Sequence, residues 1–165
     1  MASKKHYIIT AITLGIIAAS SGALIGLTNL ITHNTIEHNK QVKVQKGIGT
    51  LFEGASSIEK GKLTGYDYVT YYYNLDQGRY AFQTSGSNMY GNMELLIGVE
   101  NNQFTKLVVL TNGQTYNTTL EENYINPLNN DKRNMDDVSC GATYGAKLVR
   151  DMINDAIKAS LDLTK

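Results

Sequence analysis

The chain has no tryptophan, a single cysteine and a single proline among its 165 residues. With Cys140 alone, no internal disulfide can form, and cysteine usage does not reveal the redox compartment. Thiol catalysis needs a neighbouring base. The three histidines, His6, His33 and His38, all sit before, within or two residues past the N-terminal apolar segment, so none is expected to serve Cys140. Metal-ligand spacing is missing as well. Asp131, Asp136 and Asp137 lack the glycine that a calcium loop of the EF-hand kind requires. Asn117-Thr118-Thr119 is a glycosylation sequon by letter only. The 15 basic and 15 acidic residues balance. No basic face is visible, which removes nucleic acid from the expected partners.

Charge of either sign is absent from residues 7–36, where His33 is the sole side chain that titrates near neutral pH. No Asp or Glu precedes Glu37, while Lys4 and Lys5 lie before the apolar run. Its centre covers residues 8–31, and at about 1.5 Å per residue such a helix crosses a hydrocarbon core of about 30 Å. A cleaved signal peptide would be shorter and would end at a small-x-small site. Thr28-Asn29-Leu30-Ile31 instead continues the run, so a retained anchor is expected. No cysteine lies near it to carry a lipid. Ala18, Gly22 and Gly26 form one ladder of small residues, and Ala11, Gly15 and Ala19 form another. Such ladders permit close helix packing in lipid, although Gly and Ala are also common in membrane helices generally. Lys40, Lys43 and Lys46 follow the span closely, so charge alone leaves its orientation open.

The remainder is about one domain in size. Residues 37–60 read as a helical extension or connector, with a short helix at Leu51-Phe52-Glu53-Gly54-Ala55. Residues 68–73 are β-branched and aromatic, Asp76-Gln77-Gly78 marks a turn, and residues 79–83 make the hairpin partner. Residues 86–91 read as a loop, 93–99 as a strand, Glu100-Asn101-Asn102 as a turn and 104–110 as another strand. Short turns between neighbouring strands imply an antiparallel sheet. Residues 111–135 are Asn-rich with no clear period and hold Pro127. From Ala142, the positions Ala146, Val149, Ile153, Ala156, Ile157 and Leu161 recur at helical spacing, predicting a helix over 142–162 that lays one face on the sheet. The fold class is α+β: one N-terminal transmembrane helix, then an antiparallel sheet packed by helices, with a C-terminal helix. The expected divisions are 1–36 for a cytoplasmic tail and anchor, 37–60 for the connector and 61–165 for the soluble domain.

The start of that last helix reads Asp137-Val138-Ser139-Cys140-Gly141-Ala142-Thr143. A helix N-terminus carries unpaired N–H groups and partial positive charge, which suits a phosphate. Gly141 permits close approach or an unusual backbone angle, and Thr143 brings a hydroxyl to the same place. Asp137 is positioned to bond the turn, cap the helix or activate the hydroxyl. Spacing alone favours an ordinary helix start, with Ser139 as N-cap and Thr143 in the first turn.

Asp-x-x-Cys-Gly-Ala-Thr resembles the flavin-attachment motif of the FMN-binding domain family, with Cys140 where serine or threonine is usual. Residues 12–37, including Gly26-Leu27-Thr28-Asn29 and Thr35-Ile36-Glu37, resemble the anchor of the G subunit of Rnf-type electron transport complexes, a group related to the C subunit of sodium-translocating NADH:quinone reductase. Leu51 to Ala55, the stretch from Tyr90-Gly91 to Val99, and Gln114-Thr115 are similar to further family segments. The resemblance implies FMN joined through its phosphate to the Thr143 oxygen. It also implies that Asp137, Cys140, Gly141 and Ala142 are recognised by a separate FAD-dependent flavin transferase. Gln114 and Thr115 would lie near the flavin, and Tyr144 is a candidate to stack on its ring. The implied protein is a single-pass cell-membrane subunit with an extracytoplasmic domain, relaying electrons among other membrane subunits with no complete reaction of its own. A stand-alone extracytoplasmic flavin carrier and a flavin-free binding module are the two other readings.

Overall fold

A computed structural model describes residues 4–55, 59–76 and 78–165. Residues 56–58 of the expected connector, and Gln77 of the expected turn, lie outside the described residues. The chain divides into two compact units, Met1–Val42 and Lys43–Lys165.

From Lys4 onward the first unit is helical and belongs to α1 (Lys4–Leu51). Within it His6–Asn29, 24 residues with a mean hydropathy of 2.1, is long and apolar enough to cross a membrane. Its polar residues are absorbed locally. The hydroxyls of Thr10, Thr13, Ser20, Ser21 and Thr28 each donate to the carbonyl four residues back, at 2.8–2.9 Å. A hydroxyl so satisfied enters an apolar medium at much lower cost.

The second unit is built on five antiparallel strands in sequential order: β1 (Glu59–Lys62), β2 (Val69–Asp76), β3 (Arg79–Asn88), β4 (Gly91–Glu100) and β5 (Gln103–Asn112). The turn expected at Glu100-Asn101-Asn102 is present. Asn101 and Asn102 have φ of 50° and 63°, and a two-residue hairpin turn of the primed kind needs positive φ at both central positions. The loop expected over 86–91 is instead mostly strand: Asn88 pairs with Gly91, leaving only Met89 and Tyr90 in the turn. Strand β1 was not expected; it pairs Lys60 with Tyr73.

Both sheet faces are covered. On one, Phe82, Met93, Leu95, Ile97, Val99 and Leu107 pack with the helix α4 (Thr143–Leu163) through Ala146, Val149, Met152, Ile153 and Ala156. Leu161, expected on the buried face, is exposed instead, because Ala159 and Ser160 take the buried positions of that turn. On the other face Tyr73, Leu75, Ala81 and Leu96 meet Val44, Ile48, Leu51 and Phe52. The end of α1 is thus part of this unit's core, and 52–55 is a turn rather than a separate helix. Burial on two faces explains the near-continuous apolar run of β4.

Residues 117–129, where no period was legible, are helical: α2 (Asn117–Leu120), a π-turn (Glu121–Ile125) and α3 (Asn126–Asn129). Leu120, Tyr124, Ile125 and Leu128 are its buried residues. Asn129 closes the edge of β5. Its Oδ1 accepts from Leu107 N and its Nδ2 donates to Leu107 O, both at 2.8 Å, as a neighbouring strand would. Asp155 similarly fastens α4 to β2, accepting from Tyr68 N at 2.7 Å and Val69 N at 3.1 Å.

Candidate functional site

The loop before α4 is organised by Arg133. Its fork donates to the carbonyl oxygens of Asp137, Asn123 and Ser139 at 2.8, 2.7 and 2.7 Å, and Nη2 lies 3.1 Å from Asp137 Oδ2. Five donors in one plane suit this gathering of carbonyls. The guanidinium also lies 5.5 Å from the Tyr124 ring centre, and the Tyr124 hydroxyl donates to Met135 O. Burial pushes the Tyr124 phenol up to about 12, against the opposing pull of Arg150 and Arg133. The Asp137 carboxylate accepts from Ser139 N at 3.3 Å. Of the roles open to Asp137, it therefore bonds the turn.

Neither Asp137 nor Ser139 caps the helix. The N-cap position is Ala142, and no side-chain bond is made there. Asn123 Nδ2 donates to Cys140 O at 3.3 Å, and Gly141 then turns the chain with φ of 82°. Left-handed backbone at this point favours glycine. The result is a helix of 21 residues whose first N–H groups have no side-chain acceptor and carry the positive end of the dipole. Thr143 is half-buried at this mouth.

A cleft of about 290 Å³ opens beside it, lined by Tyr90, Gln114, Tyr116, Leu120 and residues 141–145. The opposite wall comes from the β3–β4 turn and the stretch after β5. Gly91 has φ of 137°, and a Cβ there would fall 2.0 Å from Gly113 O, so only glycine lets these segments touch. Gln114, buried, donates from Nε2 to Gly91 O at 2.6 Å. Thr115 N and its hydroxyl both donate to Tyr90 O, at 2.9 and 3.1 Å. Gly145 lets α4 close on α2, since a Cβ there would lie 2.8 Å from Leu120 Cδ2.

The cleft therefore brings together Gln114, Gly141, Ala142, Thr143 and Tyr144 of the expected site. Asp137 and Thr115 shape its walls from behind, and Cys140 is buried in the core cluster. Arg133, Tyr116 and Leu120 were not anticipated, and Tyr90 was quoted only within a family segment. Among the described residues no group of three His, Cys, Asp or Glu side chains is placed to hold a metal. Chemically, the arrangement offers an anion seat, a hydroxyl within the same turn and an aromatic, partly apolar slot.

Residues 1–49 match the protein family described as the RnfG N-terminal region. This part of the chain is RnfG-like. Together with the apolar helix of the first unit, the RnfG likeness supports a single-pass membrane protein and, in general terms, a subunit of a multi-subunit Rnf-type complex. No curated protein matches the chain. The RnfG-like stretch ends before the first strand of the sheet and does not reach the cleft.

Proposed function

We propose that this chain is a membrane-anchored, flavin-carrying subunit that relays electrons in an Rnf-type complex, with FMN held as a phosphoester on Thr143. The reading divides it into an anchor over 1–36, a connector over 37–60 and a flavin domain over 61–165, the last outside the cytoplasm. The observation that carries the proposal is the helix mouth without a side-chain cap, with Thr143 in its first turn and an aromatic cleft alongside. The fit is chemical. A phosphate diester keeps one negative charge, and the first-turn N–H groups of α4 are donors for it without any basic side chain. Flavin supplies one- and two-electron chemistry when bound; the protein supplies position and electrostatics.

Attachment requires a separate transferase with FAD as donor. The Thr143 oxygen attacks the phosphorus on the FMN side, the pyrophosphate bond breaks, AMP leaves and the hydroxyl proton is released. Within the chain, Gly141 and the carbonyls gathered by Arg133 hold the loop so that Thr143 is presented. Asp137, Cys140 and Ala142 complete the sequence the transferase reads. Gln114 and Thr115 brace the far wall of the cleft.

The test is co-expression with a flavin transferase followed by denaturing electrophoresis. Wild type and Thr143→Ser are expected to keep a fluorescent band, and Thr143→Ala to lose it entirely. A band that survives in Thr143→Ala refutes the assignment. A wild-type chain that stays dark beside a flavinylated control substrate favours the flavin-free binding module.

A further inference from the structure

We infer that Tyr90, Tyr116 and Tyr144 form a seat for the ring system of the group tethered at Thr143, and that Asn88 is the positioning residue that sets the seat's shape. This rests on the function proposed above. The three tyrosines are remote in sequence, yet their rings meet around Tyr90. Tyr116 and Tyr144 each lie 5.6 Å from it, centre to centre, inclined at 62° and 45°. All three line the cleft that contains Thr143. Tyr116 and Tyr144 are each 52% exposed, which leaves ring surface for a ligand, with Lys147 Nζ 5.8 Å from the Tyr144 ring centre. Rings at such inclinations present both faces and edges, and a planar heterocycle packs on them by offset stacking or edge contact.

Asn88 fixes the geometry from one amide. Its Nδ2 donates to Tyr144 O at 3.1 Å, and its Oδ1 accepts from Tyr90 N at 2.8 Å. The β3–β4 turn and the first turn of α4 are thereby held at a set separation, and with them two of the three rings. The tether explains why an open seat suffices. A group bound through Thr143 has an effective local concentration that a free ligand would not reach, so weak stacking keeps it docked. A cleft of about 290 Å³ also lies just below the roughly 300–1,000 Å³ usual for small-molecule sites, which suits a ring docked from one side. The rival occupant of this surface is a protein partner, drawn by exposed Met89 beside the tyrosines.

The experiment uses the full chain, co-expressed with a transferase and purified in detergent. Flavin emission is measured per bound flavin, with loading fixed by intact mass. Stacking on a phenol ring quenches flavin emission. Tyr144→Leu and Tyr116→Leu are each expected to raise emission at least twofold, Asn88→Ala to raise it less, and Tyr144→Trp to keep it low. Tyr66→Leu, at a tyrosine bonded to Asp162 outside the cleft, is expected to leave it unchanged. Should Tyr144→Leu fail to load, Tyr116→Leu, which is remote from the tether in sequence, decides the question. Loaded leucine variants with wild-type emission overturn the inference alone and leave the surface to a protein partner. An unloaded wild-type chain overturns both the inference and the proposed function.

Discussion

Two helices of this chain carry similar apolar side chains and use them in opposite ways. In the span His6–Asn29 the isoleucines Ile9, Ile16 and Ile17 are all more than half exposed, and Gly15, Gly22 and Gly26 have open space around them. In α4, Ile153 is fully buried and Gly145 is crowded by Leu120. The first pattern is apolar on every side and its medium is lipid. The second is apolar on one stripe and its medium is a sheet. Under the proposed function the same division holds: the span supplies location, and the mouth of α4 carries the flavin.

The largest effect that sharpens this comparison comes from one charge placed in each helix. Ile153→Asp buries an unpaired carboxylate and is expected to cost more than about 4 kcal/mol, abolishing the cooperative thermal transition of the second unit. Ile17→Asp is expected to weaken membrane insertion by about 3 kcal/mol, read as loss from the alkali-resistant membrane fraction, while that transition stays in place. Equal damage to the transition by both changes would break the distinction.

A smaller effect belongs to Tyr124, under the loop that presents Thr143. Its folded-state value of about 12 lies above the ordinary phenol value of about 10. The folded state therefore holds its proton more tightly than the unfolded chain does. The stability this contributes is fully present below pH 10 and declines as pH rises toward and through 12, amounting to about 2 kcal/mol by pH 12. Denaturant titrations of wild type and Tyr124→Phe are expected to converge over that window, and parallel curves would exclude the buried phenol as the cause.

The smallest effect is a methyl group. Gly145→Ala gains helix propensity of about 1 kcal/mol but forces Leu120 aside in a filled core, where overpacking costs about 1–3 kcal/mol. A net loss near 1 kcal/mol is expected, measurable as a fall in melting temperature of a few degrees. Gly15→Ala in the span meets nothing within 4 Å and is expected to change neither stability nor insertion.

The sheet was readable because its signals are local. Aromatic and β-branched runs, and the Asn101-Asn102 turn, state their conformation within a few residues. The span and α4 were readable from length and period. Three features were not. The helical stretch over 117–129 is written in Asn, Thr and Glu, and four buried positions make it helical through tertiary packing rather than propensity. The second sheet face is covered by Val44, Ile48, Leu51 and Phe52, apolar positions so scattered among polar neighbours that no core-facing stripe was legible. At the site, Thr143 and Gly141 stood out by motif. Arg133 works through backbone carbonyls, which leave no trace in side-chain patterns, and Tyr90, Tyr116 and Tyr144 meet only once the sheet and helices are assembled.

The central claim is tested most directly on the tryptic peptide from Asn134 to Lys147, which holds Ser139, Cys140 and Thr143 together. Taken from native membranes whose transferase is active, it is expected to carry the mass of one FMN less water, with fragment ions placing the whole addition on Thr143. The same peptide found unmodified, or modified on Ser139 or Cys140, would contradict the account.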